Sequence, residues 1–422
     1  MKNIYRIAFS ITLSIALTSS VFGQADIEQD TAKAIVKINE ATEIIEPDTI
    51  VKEEVSPLDI SKNRGLFIVT KDGKMQMRIL GSVRFSAFYD DVELPVKSTL
   101  NTFFIPTGDD NHIIPNFHNS LNQTRLGFEI TRATKKRIIF IRIETDFAGP
   151  GGHYRIRHAY GQIGGFLAGK TWSLFSNVND MPTTVDKNGP TGAISLMNPQ
   201  IRYGRGYKNL SWAVGLEYSL PDVYHLTPDS VGVTFTTVQM IPDLTSRVGT
   251  HGNFGSIQLS FIVKNVTIKD SDSTTSNSIG TGASLSGKFN LTKNQRLYFQ
   301  FASGRSIAHY ISTFSGTGQD AVFNPVTKKF ESLYVMSGFL SYGFVWTDRI
   351  STNLSVGMAK IFNKSYQPDD AYQNSLSASF DAFWRMIPGA RIGVSYTYGQ
   401  RWNKDGTTGK ASRIWALFYY DF

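Results

Sequence analysis

Arg78, Arg84, Arg125, Arg142, Arg155, Arg157, Lys170, Arg202, Arg385 and Arg413 alternate with hydrophobic neighbours, so each would leave a strand on the face opposite its apolar side chains. A guanidinium is planar, permanently charged and forked. A set of them suits bidentate capture of carboxylates and does not suit proton transfer. Arg78, Arg84, Arg125, Arg142, Arg155, Arg157, Lys170 and Arg202 are therefore the candidate solute-binding residues. Glu129, Glu144, Asp146 and Glu217 are the carboxylates that could pair with part of the set and merely brace it.

Other chemistry is thin. Gly164-Gly-Phe-Leu-Ala-Gly169-Lys170-Thr171 spells the phosphate-loop pattern G-x-x-x-x-G-K-[ST]. That loop needs a buried strand before it and a helix N-terminus after it. Here an alternating segment with Arg155, Arg157 and His158 precedes it, and a stretch poor in helix formers, Trp172 to Pro182, follows. The seven His residues show no metal-ligand spacing, and Asp109-Asp110-Asn111-His112 reads as a solvated turn. The sequence thus suggests no catalytic residue, no metal and no cofactor. A rim site whose members converge only in space would escape such a search, so a barrel hydrolase stays as an alternative.

The elements that would position the basic set repeat with period two. Met75 to Asp90 places Met75, Met77, Ile79, Val83, Phe85 and Tyr89 on one parity and Gln76, Arg78, Ser82, Arg84 and Ser86 on the other. The split recurs from Leu126, from Ile139, from Trp212, from Ile257, from Leu376 and from Ile392. It ends on Ile414, Ala416, Phe418, Tyr420 and Phe422. About 16 such segments make an all-β, transmembrane antiparallel β-barrel the expected fold, one face meeting hydrocarbon and the other a wet lumen. A soluble β-sandwich with such apolar outer faces would aggregate. Short connections near 164–165, 292–295, 347–350 and 388–390 would be periplasmic turns. Long polar ones near 91–119, 173–199, 269–280, 305–329, 363–373 and 401–410 would face outward.

The 173–199 loop mixes Asn, Asp, Pro and Gly with Leu174, Phe175, Val178 and Met181. It suits a loop folded into the barrel as a constriction bearing Asp186 and Lys187, with an ordinary external loop as the alternative. Residues 1–23 read as a signal peptide, with Lys2 and Arg6 ahead of an apolar run and the mature chain starting at Gln24. Residues 24–60 are acidic and read either as a short coiled coil on Ile27, Thr31, Ala34, Ile38, Ala41 and Ile45 or as a disordered tether. Residues 61–422 would form the barrel. The chain has no Cys and a formal net charge of +8. Setting aside the signal and the acidic residues 24–56 leaves +12 on the remainder, a basic body that attracts anions.

The block Arg155-Ile-Arg-His-Ala-Tyr-Gly161, Ala168-Gly-Lys-Thr-Trp172, Val185-Asp186 with Gly189-Pro-Thr-Gly192, and Pro199-Gln-Ile-Arg-Tyr203 resembles the DcaP-like outer-membrane porins. So does the ending from Tyr396-Thr-Tyr-Gly-Gln-Arg401 through Asp405-Gly406 and Arg413-Ile414 to Phe422. The resemblance implies a homotrimer of 16-stranded barrels in the bacterial outer membrane, a periplasmic N-terminal coil and uptake of small anions such as dicarboxylates or aromatic acids. It makes Arg155, Arg157, Lys170 and Arg202 basic lumen residues. The expected partners are membrane lipid, lipopolysaccharide and small anionic solutes, with no nucleic acid. The competing reading is an adhesin or scaffold whose plugged barrel only displays loops.

Overall fold

The computed structural model describes residues 65–96, 98–108, 114–223, 235–270 and 275–422. The expected signal peptide, the 24–60 segment short of the barrel and the turn at Asp109 to His112 lie outside the described residues.

Alternating polar and apolar side chains make strands, and here 16 of them close into one antiparallel barrel. In chain order these are β1 (Met75–Asp90), β2 (Arg125–Ala133), β3 (Ile138–Asp146), β4 (Arg155–Ile163), β5 (Phe166–Trp172) and β6 (Met197–Tyr207). There follow β7 (Leu210–Glu217), β8 (Asp243–Gly252), β9 (Gly255–Asp270), β10 (Thr275–Asn290) and β11 (Gln295–Arg305). The last are β12 (Tyr334–Val345), β13 (Ile350–Phe362), β14 (Tyr372–Ile387), β15 (Ala390–Asn403) and β16 (Thr408–Asp421). Each strand pairs with its sequence neighbours, and β1 pairs with both β2 and β16. The seam is finished by Phe422 and Gly81, which exchange backbone hydrogen bonds of 3.0 and 3.1 Å. A Cβ on residue 81 would meet the Phe422 ring at 2.4 Å, so glycine makes room for the terminal aromatic. A closed sheet leaves no unpaired edge, which a bilayer requires. Among the described residues no helix is long and apolar enough to cross a membrane.

On β16 the outer face carries exposed Ile414, Phe418 and Tyr420, while Trp415, Leu417 and Tyr419 point inward and are buried. The outer band is as apolar as the alternation predicts; the inner face is not uniformly wet. The reason is that three loops fold inward. From the 91–124 connection, Val92, Leu94, Leu100 and Ile105 pack on Phe88, Trp415, Leu417 and Tyr419. From the 306–333 connection, Ile307, Ala308, Tyr310, Ile311 and Phe314 are fully buried against Phe175 and Ile194 of the 173–196 loop. The inner faces of β9, β11, β12 and β13 meet this core with Ile262, Ala302, Val335, Ala359 and Ile361. Loops expected to face outward at 91–119 and 305–329 thus contribute to the interior, because their apolar residues can leave water only there.

Two other expected loops are mostly strand. β9 and β10 extend to Asp270 and from Thr275, and β15 and β16 to Asn403 and from Thr408. Ser and Thr in these ends sustain a hydrogen-bonded ladder without an apolar face, so the period-two signal fades before the strand does.

Candidate functional site

The register of β1 to β4 sets opposite charges side by side on the lumen face. One row runs Arg78, Glu129, Arg142 and Tyr160; another runs Arg125, Asp146 and Arg155. Between them Glu144 is fully buried and meets Arg125 at 3.7 Å, Arg142 at 2.6 Å and Arg157 at 2.9 Å. Glu129 meets Arg78 at 2.5 Å and Arg142 at 3.6 Å. Asp146 accepts both forks of Arg155, at 3.0 and 2.7 Å, and meets Arg157 and Lys187 at 3.2 Å each. Five guanidinium groups and the Lys187 amine therefore surround three carboxylates, and the guanidinium groups alone outnumber the carboxylates although every member is paired.

A β-bulge aims two consecutive side chains into this cluster. Glu144 pairs with His158 and Thr145 with Ile156, which leaves Arg157 as the extra residue. Arg157 and His158 are both buried as a result, and His158 Nδ1 lies 3.0 Å from the Thr171 hydroxyl. Opposite the bulge, Gly169 has φ +127°, and a Cβ there would stand 2.2 Å from the Ala159 carbonyl oxygen. The second glycine of the phosphate-loop pattern is thus a strand residue beside a bulge, and the strand runs on to Trp172 where the pattern would need a helix N-terminus.

Arg202, on β6, is buried and donates to the Trp172 carbonyl at 3.2 Å and to Gln200 Oε1 at 3.3 Å. Among the described residues it has no carboxylate partner. Arg84, fully buried on β1, lies over the Tyr419 ring at 5.2 Å. Arg413 is clamped by Asp90 and sandwiched between Phe88 and Trp415, so it braces the wall. Lys170, half-buried on β5, lies near Arg155, Arg157 and Asp146 of the cluster. It pairs with Ala159 and Pro199 and shares parity with exposed Phe166 and Ala168, whereas Leu167, Gly169 and Thr171 pair with the buried lumen residues Arg202, Gln200 and Asn198. The positive φ of Gly169 interrupts the alternation of β5, and Trp172, two residues beyond Lys170, lines a cavity beside Arg157.

The 173–196 loop is strung across the lumen. Glu217 of β7 accepts from the Ser173 hydroxyl and the Leu174 N–H at 2.9 Å each, and Asp381 of β14 accepts from the Val185 N–H at 2.8 Å. Asp186 is buried and accepts from the backbone N–H of Leu100 and of Asn188, both at 2.9 Å. Burial pushes its carboxyl up to about 6, against the pull of these hydrogen bonds and of Arg413 and Arg84. Burial, with Arg157 and Arg125 nearby, holds the Lys187 ammonium well below its ordinary range, while Asp146 works the other way. Arg84, Arg125, Arg157 and Lys187 line one cavity of about 60 Å³ with Trp172 and the loop residues Met181 and Pro182. None of its lining residues is acidic.

Sequence reading missed His158, Asp381 and Tyr419 as parts of this wall. The bulge leaves no trace in spacing, and Tyr419 reads as one more aromatic of the last strand. Among the described residues no group of three or more His, Asp or Glu side chains could hold a metal ion.

A constriction in which guanidinium groups outnumber carboxylates thus stands inside a 16-stranded barrel, and known proteins share this fold. The chain is similar in structure to the outer membrane channel DcaP of Acinetobacter baumannii, at 19% identity with a TM-score of 0.71, covering 84% of this chain and 99% of that one. It is also similar to an anion-selective porin from Comamonas acidovorans, at 9% identity and a TM-score of 0.53, covering 83% of this chain and 100% of that one. Salmonella typhi OmpF, solved with daunomycin, shares 12% identity and a TM-score of 0.53 over 85% of this chain and 100% of its own. No individually curated protein matches the sequence. The model of the DcaP outer membrane protein family matches residues 54–422, so this chain, a bacterial outer-membrane β-barrel, belongs to that family.

Proposed function

We propose that the protein is an anion-preferring diffusion channel that passes small negatively charged solutes, dicarboxylates or aromatic acids among them, without catalysis. The observation that carries this reading is the charge imbalance at the constriction: five guanidinium groups share Glu129, Glu144 and Asp146, and Arg84, Arg125, Arg157 and Lys187 line a cavity with no acidic residue. In a narrow low-dielectric passage an excess of guanidinium groups attracts anions, and several weak contacts let them leave again. The long loops would face outward among lipopolysaccharide, the short turns and the N-terminus would face the periplasm, and three copies would assemble. Cross-linking of the detergent-extracted protein tests the trimer.

The zero-current potential of the purified protein in a planar bilayer under a salt gradient tests the channel. A potential of the sign set by anion flux is expected; a cation-directed potential overturns the reading. The inward packing of three loops favours one other possibility, a plugged barrel that displays its loops, and channels that never open would support it.

A further inference from the structure

We infer that the short-turn mouth of the barrel holds a second anion site, distinct from the constriction and suited to a small organic dianion such as a dicarboxylate. The inference rests on the channel reading above but on different residues. A cavity of about 200 Å³ opens there, and Arg296, Arg349, Arg385 and Arg391 line it with one acidic residue, Asp348.

Register explains why these side chains meet. Arg385 and Arg391 are direct cross-strand partners on β14 and β15, on the parity of buried Phe383 and Ser395 and therefore on the lumen face. The N–H of Arg385 bonds the carbonyl of Arg349 at 2.7 Å, which adds the next turn to the same row. Like charges placed directly opposite destabilise a sheet, and among the described residues Arg296, Arg349 and Arg385 form no ion pair. The charge that Arg296, Arg349 and Arg385 bring to the cavity is one that a mobile anion can balance. Two or more guanidinium forks facing one cavity can each take a carboxylate, and Phe344 and Phe383 offer the body of the solute an apolar wall.

The site also neighbours the constriction along the barrel wall. Tyr419 is the cross-strand partner of both Arg84 and Arg391, and its ring has Arg84 at 5.2 Å and Arg391 at 4.6 Å. Arg84 lines the constriction cavity and Arg391 the mouth cavity. At the loop tip Thr183 faces the mouth cavity while Pro182 and Thr184 face the other. The two basic cavities thus flank the loop tip, and two weak sites favour throughput over one tight site.

Calorimetric titration of the full-length, detergent-folded protein with succinate at low salt tests the site. Parent protein, the pair R349Q/R385Q and the single variant D348N are compared. The pair is expected to bind at the mouth about tenfold more weakly. D348N removes the competing carboxylate and should bind more tightly, a gain that misfolding cannot produce. Unchanged succinate binding in both variants overturns the proposal. The zero-current potential in potassium chloride separates the two readings: an anion-directed potential with unchanged succinate binding refutes the mouth site alone, whereas a cation-directed potential refutes the channel reading whatever succinate does.

Discussion

Asp381 of β14 accepts a hydrogen bond from the Val185 backbone N–H at 2.8 Å, while the same loop begins under Glu217 of β7. Since β7 and β14 stand nearly half the barrel apart, these two carboxylates suspend the loop across the lumen. In D381A the Val185 N–H loses its acceptor, at a cost of about 1–3 kcal/mol. Single-channel recording should show a noisier and larger conductance with weaker selectivity. Conductance and noise equal to those of the parent would mean that the loop is held by its apolar contacts alone.

Arg155 and Arg157 both serve Asp146, yet they differ in burial: the Arg155 side chain is 43% exposed and that of Arg157 is 3% exposed. Replacing both with alanine removes two cations and leaves Glu144 and Asp146 with fewer partners. The zero-current potential should move toward the cation side, and conductance should change less. The single change R157A should account for most of the lost stability, about 3–5 kcal/mol, because it breaks a buried pair. Thermal melts of the two single variants check the order.

Asp186 supplies a pH dependence. Its folded-state carboxyl is raised to about 6 by burial, above the ordinary 3.8. The folded protein therefore holds a proton that the unfolded chain has released between those values. The associated stability is complete below 3.8 and is lost as pH rises toward 6. Lowering the pH through 6 also removes a negative charge near Arg84 and Arg413, so anion preference should increase. Zero-current potentials at pH 7.5 and about 5 check this, and D186N should lack the step.

Gly169 stands across from the bulge with a left-handed backbone and no room for a Cβ. G169A should strain both strands by about 1–3 kcal/mol and lower the folded yield. Heat-modifiable mobility on gels measures that yield. A fully folded G169A would show that the bulge tolerates a side chain.

How much of this was legible follows from which faces the environment constrains. Lipid constrains the outer face everywhere, so Met75 to Asp90 could be delimited from alternation alone, and the closing strand from Phe418 and Tyr420. The inner face answers to whatever touches it. Leu417 and Tyr419 read as one more apolar pair because nothing in the sequence announced that Leu100 and Ile105 would cover them. The arginines of β2 to β4 could be placed by parity, but the bulge that admits His158 beside Arg157 could not. Asp381 holds the loop through a backbone N–H, and a backbone partner leaves no mark on composition or spacing.

The seam between Gly81 and Phe422 has a consequence for how the barrel comes into being. The hydrogen bonds that close the barrel join Ser82–Asp90 of β1 to Arg413–Asp421 of β16, and those between Gly81 and Phe422 finish the row. Until these meet, β1 and β16 are two raw edges, each as able to pair with a strand of another molecule as with the other. The order of encounter, rather than the strength of the finished ring, then decides between a pore and an aggregate.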